Sequence, residues 1–455
     1  MIPVYAAFFA LSVIMVAIIK YHQKILRMIF HKQRYAKPII MLIIIIFSTL
    51  AFLSYYNTPF QSGSEDLVIN MIYAARYNLN IDDRIFGLGL IFSTRDITSR
   101  LTIDEIRSSD INPELYNVSE YKSTIGLQGW IFYFMARYGL PRPLEASKVG
   151  CCLFLAIVLA FICYELYKKY GSLFSAVFYT MTITSSWITS FAPNLYFVEF
   201  TWFIPMLLGL VCLNNPDKRL FLYPLFFLAI VVRCACSYEY ITVIMLSSIM
   251  FLVVEWICAI KKGKDNKKYS NSLLRAILMI GVMSLLGFAV TILIHSYMRG
   301  AGDILTGFKA IYQNDVLRRT FGSAEDFPEI YARSLNASVV DVIIRYLTMA
   351  PAGWFALFLL IATTVIMVHK HKTERRPLDT EFWLFIVSFI TCISWFVLGK
   401  SHSYIHVQMN IVLWYMGYIQ VCTYIVLKFV LNSDIVKSML KQAASMLRIE
   451  VYRDI

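Results

Sequence analysis

The chain is organised as long apolar runs separated by short polar connections. Eleven of these runs approach the length of about 20 residues that a membrane-crossing helix needs. They are 2–19, 38–56, 149–166, 172–191, 198–213, 220–235, 241–260, 275–295, 350–368, 382–398 and 409–428. The pattern predicts an all-α polytopic membrane protein with about 11 transmembrane helices. Two runs depart most from it: 172–191 is rich in Ser and Thr, and 220–235 is short and ends near Arg233. The first run lacks the basic start and small-residue cleavage site of a signal peptide, so it reads as a helix.

Composition agrees with that pattern. Of 455 residues, 58% are hydrophobic and 16% charged, and the mean hydropathy is +0.62. These values exclude an ordinary soluble enzyme and a disordered chain. The net charge of +13 does not indicate nucleic acid, because basic residues in so apolar a chain mark cytoplasmic loops. The basic clusters fall in every second connection: Lys20 to Lys37, Lys168-Lys169, Lys218-Arg219, Lys261 to Lys268, and Lys370 to Arg376. Those connections are therefore expected on the cytoplasmic side, with the N-terminus outside and the C-terminal tail inside. The nine cysteines lie almost all within the runs and have no zinc-ligand spacing. They read as small apolar packing residues, and no metal or cofactor is expected.

Two outer connections are long, 57–148 and 296–349. The stretch Ile125–Tyr138 is nearly membrane-like but too short to span, and its aromatics with Lys122 and Arg137 suit a helix lying in the interface. Residues 304–320 have apolar positions at helical spacing, as do 434–449 on the cytoplasmic side. All three can equally be helices that simply cover the bundle. No phosphate loop, zinc-protease motif or nucleophile elbow occurs. Chemistry must then use the outer loops and helix ends.

Four polar groups need a reason. Ser62-Gly63-Ser64-Glu65-Asp66 follows the second run. Adjacent carboxylates oppose each other's ionisation, so Glu65 or Asp66 can serve as a general base. Equally, Ser64 can cap a helix whose first turn favours acids. Glu199 lies at the entrance of an aromatic run, where a carboxylate needs a cavity or a partner. Arg233 and Glu239 flank a break. Arg233 suits either a phosphate or a pairing with Glu199 or Glu239. Finally, Lys400, His402 and His406 crowd the junction of two apolar runs, with Asn410 close by. The histidines share a helix face but lack a third zinc ligand, so an anion site is the more natural use, with a polar helix cap as the plainer one. An acidic corner and a basic corner thus both face outside. A lipid-linked sugar phosphate presented from the bilayer matches them, with proton abstraction at one and phosphate expulsion at the other.

Four stretches carry a resemblance: SGSED, YKSTIGLQGW, RCACSYEYITVIM and KSHSYIHVQMNIVLWY. Together they resemble bacterial GT-C glycosyltransferases, multi-pass enzymes that use polyprenyl-phosphate sugars to build surface polysaccharides. The resemblance implies 38–433 as the transmembrane catalytic domain; residues 1–37 depart from the family pattern as an appended helix and basic loop, and 434–455 read as a cytoplasmic amphipathic tail. It implies a catalytic acid in the first outer loop, where Asp66 and Glu65 match. Arg233, Lys400, His402 and His406 would hold the lipid phosphate. Glu199, Tyr196, Glu239, Tyr238 and Gln128 would contact sugar or acceptor. The expected activity is inverting hexosyl transfer at the outer face of the bacterial cytoplasmic membrane. Its partners are a polyprenyl-phosphate-linked donor, a glycan acceptor and the lipid bilayer, with no nucleic acid. Two alternatives stand beside it. An O-antigen-type polymerase would use Arg318, Arg319 and Arg333 of the second loop. A lipid-linked glycan flippase would need polar residues through the bilayer midplane, where the runs carry few.

Overall fold

A computed structural model of the chain describes residues 36–81, 85–94, 101–108, 112–263, 266–373 and 379–433. The expected first span at 2–19 and the tail at 434–449 lie outside the described residues. Among those described, seven helices are long and apolar enough to cross a membrane: Lys37–Tyr55, Pro143–Tyr170, Pro216–Cys236, Ile241–Lys261, Lys267–Arg299, Ala350–Lys372 and Thr380–Leu398. An eighth is counted if Val407–Tyr415 and Tyr418–Leu431, bent by 47°, are taken as one span. The chain is an all-α multi-pass membrane protein by the length and composition of these helices.

Their surfaces agree. Leu42, Ile46, Phe47 and Leu50 are exposed on one helix, and Leu278, Val282, Leu285 and Leu293 on another. Such continuous apolar faces are rare on a soluble protein, whereas lipid covers them without cost. The Lys267–Arg299 helix has 33 residues, about 50 Å at 1.5 Å per residue. It is therefore longer than the hydrocarbon core and extends beyond it.

Three expected spans take another form. The 172–191 run divides into Ser172–Ile183 and Ser186–Phe191. Thr182 and Thr184 donate to the carbonyls four residues back, and the Ser185 hydroxyl accepts from Ile188 N to start the next helix. Clustered hydroxyls thus end one helix and cap another. The 198–213 run forms a 15-residue helix, Phe200–Asn214. The 409–428 run breaks at Gly417, whose φ of +120° only glycine adopts readily.

The first long connection is structured. The helix Ser62–Arg76 buries Leu67 to Ala75. A two-stranded antiparallel hairpin, Gly89–Ser93 with Tyr116–Glu120, pairs Gly89 with Glu120. This is a small departure from the all-helical expectation. Asn70 Oδ1 accepts from Ile91 N at 2.9 Å and ties the hairpin to the helix. The expected helix at 125–138 is present as Leu127–Arg137. In the second connection, Ile304–Ile311 runs into a π-helical turn, Tyr312–Leu317.

Candidate functional site

Both long connections converge on one cavity of about 380 Å³. Its wall is assembled from widely separated parts of the chain. Gln61, Gly63, Ser64 and Leu67 come from the start of the Ser62–Arg76 helix. Leu90 and Tyr121 come from the hairpin region. Tyr196 and Glu239 come from two irregular turns between helices. Arg318, Arg319 and Tyr331 come from the second long connection. His402, Ile405, His406 and Met409 come from the break after Thr380–Leu398.

The turns are held by buried polar side chains. Asn194 Nδ2 donates to the carbonyls of Phe60 (2.8 Å) and Gln61 (3.2 Å), while its Oδ1 accepts from Tyr196 N (2.9 Å). Gln128 Nε2 donates to the carbonyls of Tyr196 (2.9 Å) and Cys236 (3.2 Å). Arg233, fully buried, donates to Phe197 O (3.0 Å) and Glu239 O (3.3 Å). Gln128 and Arg233 are thus braces behind the wall, and neither lines the cavity. Arg233 has no ion pair with Glu199 among the described contacts. Glu199 is fully buried and outside the lining, and neither of its carboxylate oxygens has a hydrogen-bond partner.

The acidic corner divides. Glu65 is 2% exposed and faces away from the cavity: Oε2 pairs with Lys148 Nζ at 3.0 Å, and Oε1 accepts from Leu195 N at 3.0 Å. It anchors the helix to Pro143–Tyr170. Asp66 is half-buried on the same helix and is not among the lining residues. The lining carboxylate is Glu239, nine-tenths buried, with Oε2 lacking a hydrogen-bond partner. Burial pushes its carboxyl above the usual carboxylate range, against the pull of Arg319 and Arg233. A carboxyl tuned upward inside a cavity suits proton transfer near neutral pH.

The basic corner keeps two of the cations expected at the phosphate site and replaces the others. His402 and His406 line the cavity, with ring centroids 4.7 Å apart. Lys400 turns away, donating to Leu335 O beside the Phe321 ring. Its place is taken by Arg318 and Arg319. Asp315, in the π-helical turn, lies 3.8 Å from Arg318 and 3.7 Å from Arg319, and also pairs with Arg299. Arg299 and His295 both contact the carbonyl of Lys122 at 3.0 Å, beside the lining Tyr121. One acid therefore fixes both cavity arginines and links the two long connections. Burial, reinforced by Arg319, pushes the His402 and His406 imidazoles below the usual histidine range. Tyr238, also expected at the site, stacks on His295 with centroids 5.6 Å apart and does not line the cavity.

Of the residues expected at a glycosyltransferase site, Tyr196, Glu239, His402 and His406 meet at one cavity, joined by Arg318 and Arg319, which the sequence offered for the polymerase alternative. Tyr331 and Gln61 have no distinguishing signal in the sequence, and Tyr121 and Gly63 lie in the stretches YKSTIGLQGW and SGSED without a role of their own there. Among the described residues, no group of three or more His, Cys, Asp or Glu side chains could hold a metal ion. No protein-family model, curated protein or solved structure matches this chain.

Proposed function

We propose that the protein is a membrane glycosyltransferase of GT-C type, moving a sugar from a polyprenyl-phosphate carrier to a cell-surface glycan. In this reading the chain crosses the bacterial cytoplasmic membrane eleven times, and the cavity opens toward the exterior. The observation that supports it is a single hollow of about 380 Å³ that joins a buried carboxyl, two arginines and two histidines to apolar walls at Leu67, Leu90, Ile405 and Met409. A carboxyl for the acceptor, cations for a departing phosphate and an apolar flank for a lipid are the three requirements of the reaction.

The step is a displacement at the anomeric carbon. The acceptor hydroxyl gives its proton to Glu239, its oxygen bonds to the anomeric carbon, and the phosphate oxygen leaves with the bonding electrons. Arg318 and Arg319 receive that charge. The test is transfer by the purified protein in lipid nanodiscs, with a polyprenyl-phosphate sugar and a glycan acceptor. Labelled sugar in the glycan supports the reading. Carrier movement across vesicles without bond formation overturns it in favour of a flippase.

A second reading is an O-antigen-type polymerase. Its support is that Arg318 and Arg319 of the second long connection line the cavity. Comparing a monosaccharide donor with a repeat-unit donor separates the two.

The site predicts opposed pH trends. Both histidines are neutral near pH 7 because their folded values are lowered. They gain charge as pH falls, so a phosphate donor binds more tightly in acid. Glu239 must be ionised to accept a proton, and its value is raised, so turnover is lost as pH falls through it. As pH falls below the ordinary histidine value, the lowered imidazoles begin to take up protons and the raised Glu239 carboxyl loses its charge, so KM and kcat are expected to fall together. A KM that rises as pH falls would exclude the histidines from the donor site.

A further inference from the structure

The Ser62–Arg76 helix begins at the cavity in an unusual way. Its N-cap residue, Gln61, has a left-handed backbone (φ +59°), and no side chain caps the first turn. The amides of Ser62 and Gly63 precede the first intrahelical bond, so they remain available as donors. Gly63 and Ser64 line the cavity, and a Cβ built on Gly63 meets no atom within 4 Å. The opening turn is therefore bare backbone facing open space. It is also rigid: Asn194 holds the carbonyls of Phe60 and Gln61, and Glu65 holds the helix to Lys148. The same cavity is lined by Arg318 and Arg319, together with Glu239, whose buried Oε2 has no hydrogen-bond partner.

We propose that this opening turn is a phosphate-binding cradle that works with Arg318 and Arg319, so that the SGSED stretch binds the anion and is not the source of the base. The first-turn amides and the positive end of the helix dipole favour a phosphoryl group. The absence of a side chain at Gly63 lets the oxygens reach the backbone. The unsatisfied Glu239 oxygen lines the same cavity, where a hydroxyl donor of the ligand fits. The assignment deepens the glycosyltransferase reading by naming the phosphate subsite, but the anion site itself can be tested without any transfer.

The test measures binding to the full-length protein in nanodiscs with three probes: farnesyl phosphate, inorganic phosphate and farnesol. The variants are Gly63→Ala and Arg318→Gln. Gly63→Ala adds a methyl group into open space at an ordinary helical position, so its melting temperature should match the parent's. Farnesyl phosphate affinity should fall about tenfold in each variant, the scale of one charge-assisted hydrogen bond, while farnesol binding is unchanged. Competition by inorganic phosphate identifies a free-anion site, and its failure to compete identifies a lipid headgroup site; either supports the cradle. Equal binding of farnesol and farnesyl phosphate by the parent protein overturns it, as does unchanged farnesyl phosphate affinity in Gly63→Ala. If the cradle binds and no sugar is transferred to any acceptor, the transferase reading fails and the phosphate site stands.

Discussion

Glu239→Gln is expected to slow sugar transfer by about 10²–10⁴-fold, the usual contribution of a positioned general base. The substitution keeps the shape of the side chain and removes only the proton acceptor. Because Glu239 is nine-tenths buried, a neutral amide there relieves a desolvated charge, so the melting temperature should not fall. Donor binding, read with farnesyl phosphate, should persist, since the cations are untouched. The loss then sits in kcat. Asp66→Asn is the necessary comparison: a larger loss in that variant than in Glu239→Gln would return the base to the Ser62–Arg76 helix.

Glu65→Gln should behave in the opposite way. The Glu65–Lys148 pair is buried on both sides, with side chains 2% and 7% exposed. Removing one partner leaves an uncompensated ammonium in a low-dielectric interior, which costs about 3–5 kcal/mol. The variant is expected to unfold at a markedly lower denaturant concentration. Lys148→Met on top of it removes the stranded charge and should recover most of the stability. Per folded molecule, the double variant should still bind farnesyl phosphate. A stable Glu65→Gln protein with abolished transfer would instead make Glu65 part of the chemistry. Burial raises the folded Glu65 carboxyl despite Lys148, so this group alone adds no stability as pH rises from acid to neutral. The pair is therefore best tested by substitution and not by titration.

The bundle was largely legible from the sequence because apolar length is a local property. Residues 241–260 and 382–398 reappear as Ile241–Lys261 and Thr380–Leu398. The breaks were harder to read. The 172–191 run divides where Ser185 changes from helix filler to cap, a choice made by packing as much as by residue type. The hairpin was missed because LGLIFS and YNVSE give no shared alternation until Asn70 and the neighbouring helix pin them. At the site, residue type identified plausible acids and cations but not which way they point. Glu65 and Glu239 are chemically the same, yet Lys148 captures one while the other faces the cavity. Lys400 and Arg319 exchange roles for a similar reason: one bonds a nearby carbonyl, and the other is aimed by Asp315 from a π-helical turn.

Gln61, Val198 and Tyr240 all have positive φ without being glycine, and each adjoins a turn that builds the cavity wall. Such conformations cost about 1–3 kcal/mol apiece. Glycine at Gln61, whose side chain is only partly buried, would make a sturdier protein, and directed evolution for heat resistance alone should find it early; at the buried Val198 and Tyr240 the cavity opened would cost at least as much as the strain. Selection for turnover should reject that exchange, because a relaxed turn no longer aims its neighbour. The two selections are thus expected to pull this rim in contrary directions, a trade-off that would be felt far less in the lipid-facing helices.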